Sequence, residues 1–126
     1  MTDKSAHKFG AEAEQLAAEY LQSRGYEILE RRYRFNRKEI DIIARRDKTI
    51  AFVEVKADRT GNFGPPESWV TPAKQKNIMI SAQGYISEHD CAGYDFRFDV
   101  ITCKKEKSGI KLNHLKGAFY AEENPE

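Results

Sequence analysis

Hydrophobic residues recur at steps of three and four in two parts of the chain, which is the period of an amphipathic helix. The first set predicts a helix that ends near Gly25, because glycine is a common C-terminal stop; it comprises Phe9, Ala13, Leu16, Ala17, Tyr20 and Leu21. The second set predicts a helix to about Glu88 and comprises Ile78, Met79, Ala82, Tyr85 and Ile86. Thr71 and Pro72 precede it as an N-cap and a first-turn proline.

Five other runs are rich in β-branched and aromatic residues or alternate polar with apolar positions, which is typical of strands. They are YEILERRYRF, KEIDIIARR, TIAFVEVK, DFRFDVITC and GIKLNHL. The polar turn at Arg45 to Lys48 joins the second and third runs and predicts an antiparallel hairpin. In the fourth run, Phe96, Phe98 and Val100 alternate with Arg97 and Asp99, which predicts a half-buried strand.

The order of elements is therefore helix, three strands, helix, two strands. This order predicts a single α/β domain over residues 1–126, with a mixed sheet flanked by helices. Residues 57–66 contain two glycines and two prolines and are predicted to be a loop. The ends, about 1–7 and 121–126, are expected to be frayed.

Composition restricts the class of protein only broadly. The net charge is +1, so any attraction to a polyanion has to come from a local patch. No apolar run approaches the roughly 20 residues that span a bilayer. The N-terminal residues lack the apolar core of a signal peptide, which predicts a cytoplasmic protein. Cys91 and Cys103 show no metal or redox spacing and are expected to be reduced thiols.

Two acids lie inside the apolar second and third strand runs. Strand alternation places Asp41 on one face of its run, and it places Glu54 and Lys56 together on one face of theirs. Pairing of the two runs as a hairpin would bring Asp41 and Glu54 close together. Burying two carboxylates without a partner is costly, and a magnesium ion with oxygen ligands would remove that cost.

The alternative is that these acids belong to a solvated outer face. The flanking residues favour the metal site, because Val53 and Val55 flank Glu54 while Ile40 and Ile42 flank Asp41. Strands this apolar are inner strands, where unpaired acids are rare.

An acid followed in the next strand by E-x-K resembles the PD-(D/E)xK nuclease superfamily. The chain as a whole resembles the YraN family of small bacterial proteins, which is related in fold to Holliday junction resolvases. The likeness extends from Gly10 to about Phe119 and includes G-A-E-A-E, E-I-D-I-I-A, F-V-E-V-K, F-G-P-P-E, K-Q-K, R-F-D-V and H-L-K-G-A-F. It implies a restriction-endonuclease-like fold.

The resemblance also implies a role for individual residues. Asp41 and Glu54 would hold Mg²⁺ or Mn²⁺, with the Val55 carbonyl as a third ligand. Lys56 would orient water or stabilise charge on the phosphorus. Glu12 matches an acid that resolvase-like members bring to the same metal from the first helix.

Other positions match the family less well. Gln75 matches a polar position on the helix after the E-x-K strand, and Glu39 is a candidate for indirect support of the metal. Lys38 stands where the family usually has glycine. Asp58 stands where it usually has arginine, and Arg59 follows one place later. These differences put substrate affinity in more doubt than the metal site.

Basic residues near the acids are candidates for binding the DNA backbone, namely Arg32, Arg34, Arg37, Lys38, Arg59 and Lys74. Backbone charge and DNA shape, rather than base edges, would then be recognised. The alternative is a solvated basic strand end balanced by acids elsewhere. His7, His89 and His114 lack zinc spacing, and His114 is expected to satisfy a strand or to pack beneath the sheet.

These observations predict a magnesium-dependent endonuclease acting on DNA, with branched or junction DNA as candidate substrates. The alternative is a binding or adaptor module that keeps the fold without hydrolysis. Resolvases act as dimers, so the resemblance implies a homodimer, for which the residues themselves give no signal.

Overall fold

A computed structural model describes residues 3–61 and 70–119. For residues 3–6 it describes the backbone only. Two helices and five strands make up the domain: α1 (Asp3–Ser23), β1 (Glu27–Phe35), β2 (Lys38–Arg46), β3 (Thr49–Asp58), α2 (Pro72–Glu88), β4 (Asp95–Glu106) and β5 (Gly109–Phe119). The predicted order of helices and strands is confirmed. The F-G-P-P-E motif and the C-terminal residues 120–126 lie outside the described ranges.

The five strands form one mixed sheet in the order β1-β2-β3-β4-β5. Neighbouring strands are antiparallel except β3 and β4, which are parallel. The connection between β3 and β4 contains α2, as a parallel crossover requires. The predicted β2–β3 hairpin and the single α/β domain with a mixed sheet are both confirmed, and the fold is restriction-endonuclease-like.

The two helices pack on opposite faces of the sheet. On one face, α1 buries Ala13, Ala17 and Leu21 against apolar residues of β2, β3 and β4. On the other face, α2 buries Ile78, Ala82 and Tyr85 around Phe52. These are the helix faces that the hydrophobic pattern predicts.

Both helix ends that the sequence predicts are present. Gly25 has φ +89°, a left-handed conformation that glycine adopts without a steric penalty, and Tyr26 N donates to Leu21 O at 3.0 Å. At the start of α2, the Thr71 hydroxyl accepts a hydrogen bond from Lys74 N at 3.2 Å.

The fourth strand differs from its predicted half-buried character. Asp99, expected on the polar outer face with Arg97, is 0% exposed, whereas Phe96 is 39% exposed. The reason is that α1 covers the Asp99 face, where hydrogen bonds from Arg97, His114 and the Gly117 amide satisfy the carboxylate. His114, on β5, lies under α1, and its Nδ1 lies 3.2 Å from Tyr20 Oη.

Cys91 and Cys103 are free thiols, as predicted. In the part of the chain that the structure describes, no helix is long and apolar enough to span a membrane.

Two glycines inside helices should respond to alanine in opposite directions. A Cβ at Gly84 would overlap the Phe35 ring, whereas a Cβ at Gly10 meets nothing within 4 Å. Gly84→Ala should therefore lower the free energy of unfolding by about 1–3 kcal/mol through overpacking. Gly10→Ala should raise it by about 0.5–1 kcal/mol, because alanine favours the helix. Urea titration measures the free energy of unfolding of each variant. If Gly84→Ala raises it as much as Gly10→Ala does, the Phe35 ring moves aside freely.

Candidate active site

The candidate site lies where β2 and β3 separate. Their last paired residues in this direction are Ile42 and Val53, and beyond them β2 no longer pairs with β3. Asp41 instead accepts a hydrogen bond at Oδ2 from the Val55 amide, at 2.7 Å. Within a strand, the amide and carbonyl of one residue point to the same side. The Val55 carbonyl therefore also faces the gap beside Asp41.

The separation of the strands breaks the alternation of β2. Ile40 packs with Ile43 in the cluster beneath α2, whereas Ile42 packs with Ala44 in the cluster beneath α1. Regular alternation along β2 would place Ile40 and Ile42 on one face, and the structure contradicts it. In consequence, Asp41 is not on a solvated outer face of a regular ladder but lies in the gap between the two strands.

Glu54 is the second acid of the site and is 4% exposed. Its Oε2 lies 2.9 Å from Lys74 Nζ, in the first turn of α2. Burial lowers the pKa of Lys74, but the hydrogen bond and charge of Glu54 outweigh that effect and raise it. Lys74, predicted to bind nucleic acid, is thus held in an ion pair with a candidate metal ligand.

The two acids interact electrostatically. Burial, and next the nearby charge of Glu54, raise the pKa of Asp41 to about 8, and the Val55 hydrogen bond only partly offsets them. Two carboxylates that cannot both ionise without cost attract a cation. This is the electrostatic condition for a metal site.

Lys56 and Gln75 differ in their relation to the acids. Lys56 follows Glu54 at i+2 on the regular part of β3, so both side chains leave the same face of the sheet. Gln75 points elsewhere, because its Nε2 donates to the Val70 carbonyl at 3.0 Å and holds the start of α2. Lys56 therefore lies on the same face of β3 as Glu54. Gln75 instead stabilises the start of α2 through its hydrogen bond to Val70.

Glu14 of α1, rather than Glu12, acts electrostatically on Asp41. Its charge contributes to the raised pKa of Asp41, and its Oε1 accepts a hydrogen bond from Arg32 Nε at 3.0 Å, while Arg31 Nη2 lies 4.0 Å away. Glu12 is exposed and lines a groove with Lys105 instead. Sequence reasoning missed Glu14.

The remaining predicted DNA-binding residues surround this end of the sheet. Arg32 pairs with Glu14, and Arg34 Nε lies 3.5 Å from Glu39 on the surface. Arg37 and Lys38 lie at the turn between β1 and β2 and at the start of β2. Arg59 follows β3 and lines the groove that contains Glu12.

Metal-free protein should show the raised pKa of Asp41 as a pH-dependent stability. The pKa of the Asp41 carboxyl is raised from 3.8 to about 8 in the folded protein. The fold is therefore most stable at a pH below the pKa of the unfolded chain, where the carboxyl is protonated, and it loses stability as the pH rises to the pKa of the folded state. With EDTA present, the wild type should therefore lose stability from about pH 4 to about pH 8 relative to Asp41→Asn. At the upper pH, Asp41→Asn should be more stable by at least about 1 kcal/mol.

Glu39→Gln is the matched control for that experiment, because Glu39 is a surface acid paired with Arg34. Its pH profile in urea titrations should follow the wild type. A profile of Asp41→Asn that also follows the wild type would contradict the strained acid pair.

The donor set fits a hard divalent cation. Asp41, Glu54 and the Val55 carbonyl offer oxygen atoms only, and magnesium is usually held by one or two carboxylates with water and substrate phosphate. Within residues 3–61 and 70–119, no three His, Cys, Asp or Glu side chains are grouped as a complete metal cage. A donor set of oxygen atoms alone suits magnesium or manganese better than zinc, which prefers nitrogen and sulfur ligands.

Together, the mixed sheet between two helices and the acids at its split define a restriction-endonuclease-like α/β domain. Residues 13–103 match the model of the uncharacterised protein family UPF0102. The chain belongs to this family, which is the YraN family that its motifs predict.

Relatives in this family are similar over most of their length. A UPF0102 protein of Chlorobium phaeobacteroides is 43% identical over 122 residues, which cover 92% of this chain and 96% of the relative. Another, from Christiangramia forsetii, is 38% identical over 114 residues, covering 90% and 95%. A third, from Sulfurihydrogenibium, is 44% identical over 109 residues, covering 86% and 91%. Their names state no activity.

Proposed function

We propose that the protein is a metal-dependent nuclease that hydrolyses DNA phosphodiesters at the split between β2 and β3. The observation that carries this proposal is the acid pair, in which a half-buried Asp41 is fixed by the Val55 amide at 2.7 Å and Glu54 is only 4% exposed. Acid pairs of this kind are suited to hold a cation against a phosphate. Lys56, on the same face as Glu54, adds the positive charge that phosphoryl chemistry requires.

Each residue has a defined task in this proposal. Asp41, Glu54 and the Val55 carbonyl would hold Mg²⁺, which would supply Lewis-acid polarisation of the phosphate and activation of water. The Lys56 ammonium would stabilise negative charge as it develops on the phosphoryl oxygens. Lys74 forms an ion pair with the Glu54 carboxylate, which the cation would have to share or displace. Glu14, held by Arg31 and Arg32, takes the supporting role that the resemblance implied for Glu12.

Calorimetric titration with Mn²⁺, followed by incubation with duplex, single-stranded and junction DNA, tests the proposal. The wild type should bind Mn²⁺ and cut DNA, and Asp41→Ala should lose both properties. Glu14→Gln should weaken Mn²⁺ binding, while Glu12→Gln, the matched substitution two residues away, should not. Cleavage that persists in Asp41→Ala would exclude this site as its origin.

A second candidate is a nucleic-acid-binding module that does not hydrolyse its ligand. The Lys74–Glu54 ion pair favours it, because a lysine at 2.9 Å already neutralises the buried glutamate. This candidate predicts salt-dependent DNA affinity without cleavage in any divalent metal. Cytoplasmic location and a homodimer remain predictions from the sequence.

A further inference from the structure

Two hairpin turns flank the candidate site at one end of the sheet. The β1–β2 turn at residues 36–37 and the β4–β5 turn at residues 107–108 lie at the end where β3 finishes, because β3 is antiparallel to β2 and parallel to β4. The strand order places the end of β3 between them. Asp41 lies three residues after the start of β2 and Glu54 four residues before the end of β3, so the acid pair is set back from this end, in the strands between the two hairpins.

The β4–β5 hairpin carries a group of lysines that the proposed chemistry does not use. Lys105, Lys107 and Lys111 are exposed, and Glu106 is the only acid from residue 104 to residue 111. Lys111 lies directly opposite Lys104 in the ladder, an arrangement of like charges that disfavours strand pairing.

These lysines differ from the arginines of β1 in their partners. Arg31 and Arg32 pair with Glu14, and Arg34 pairs with Glu39. Among the residues that the structure describes, no carboxylate forms an ion pair with the lysines of the β4–β5 hairpin. Their charge is therefore available to an external anion.

The spacing of the hairpins fits a double helix. Three strand intervals separate the two hairpins, which is about 14 Å, and the major groove of B-DNA is about 12 Å wide. Lys105 lies five residues beyond Val100, the partner of Glu54. That distance is about 17 Å along the strand, so the lysines reach phosphates well away from the one at the acid pair.

We propose that the β4–β5 hairpin is a second phosphate-binding surface, which holds the second strand of duplex DNA while the first lies at the acid pair. Double-stranded DNA is then the substrate class, including the arms of branched DNA. This inference rests on the proposed function of the acid pair. The hairpin contributes charge to the backbone and no base recognition.

Fluorescence anisotropy in EDTA tests the surface separately from hydrolysis. Lys107→Gln combined with Lys111→Gln should weaken binding of a duplex about tenfold and lower the slope of log affinity against log salt by about 2. Binding of the corresponding single strand should change by less than about twofold, because it needs only one backbone track.

Arg24→Gln combined with Lys48→Gln is the matched control. It removes the same charge from exposed residues at the opposite end of the sheet, beside the β2–β3 turn, and should leave both affinities unchanged. Equal losses on duplex and single strand, or equal losses in the control, would overturn the proposal. Hairpin-dependent duplex binding by a wild type that never cuts would instead reject the proposed hydrolysis and retain the surface.

Discussion

Replacement of Lys56 by methionine should reduce metal-dependent DNA cleavage by about 10²–10³-fold, which is the usual cost of removing one group that stabilises transition-state charge. Methionine keeps the apolar stem of the side chain and removes only the ammonium group. Lys56 makes no ion pair with any residue that the structure describes, so the fold and the acid pair should remain intact. Mn²⁺ affinity, measured by calorimetry, should therefore stay within about twofold of the wild type.

Lys74→Met is the matched control, because it removes a lysine charge from the other side of the same glutamate. Glu54 would then lose its partner at 2.9 Å, and a cation would no longer compete with Lys74 for the carboxylate. Mn²⁺ should bind more tightly to Lys74→Met, in contrast to Lys56→Met. Weakened Mn²⁺ binding in Lys56→Met, in parallel with its loss of cleavage, would mean that Lys56 acts by maintaining the site and not on the phosphate.

The elements of this fold and its acid pair could be predicted because local patterns determine them. Helix periodicity, the Thr71 cap and the Gly25 stop define α1 and α2, and the alternation of β3 places Glu54 with Lys56. The separation of β2 from β3 at Asp41 could not be read from these patterns. It depends on a hydrogen bond between Asp41 and the Val55 amide, 14 residues away.

The choice between Glu12 and Glu14 shows a signal that was present and missed. Glu14 is four residues before Ala18 and seven before Leu21, both of which are buried, so it lies on the edge of the inner stripe of α1. Glu12 is spaced with Lys8 and Leu16, which line the grooves beside the β4–β5 hairpin. Helix phase therefore favours Glu14, although the G-A-E-A-E motif offers both.

The contacts of Lys74 and Asp99 lay beyond sequence reasoning for a different reason. Lys74 reaches Glu54 across the connection between β3 and α2, and local periodicity gives no information on such a contact. The alternation of β4 was seen, but alternation alone does not show that α1 covers the polar face. In the sequence, a buried network of charged residues has the same alternating pattern as a solvent-exposed face of a strand.

That network supports the second large prediction: Asp99→Ala should lower the free energy of unfolding by about 3–5 kcal/mol, as expected when one partner of a buried ion pair is removed. Asp99 is 0% exposed, and Arg97 meets its two oxygens at 2.8 Å each. His114 Nε2 lies 2.7 Å from Oδ2, and Gly117 N donates to Oδ1 at 3.0 Å. All these donors would lose their acceptor together.

A double-mutant cycle with Arg97→Met tests whether the loss comes from the pair itself. The double variant should be more stable than the sum of the single losses predicts, by at least about 1 kcal/mol, because no unpaired charge is left. Acid titration gives an independent measure. Hydrogen bonds from His114 and Arg97 outweigh burial and lower the pKa of Asp99 below 3.8, so its contribution is present at neutral pH and lost on acidification. In Asp99→Asn, the free energy of unfolding should therefore fall less steeply on acidification than in the wild type. If the losses in the double-mutant cycle are additive and the acid dependence is unchanged, the loss of stability comes from packing alone.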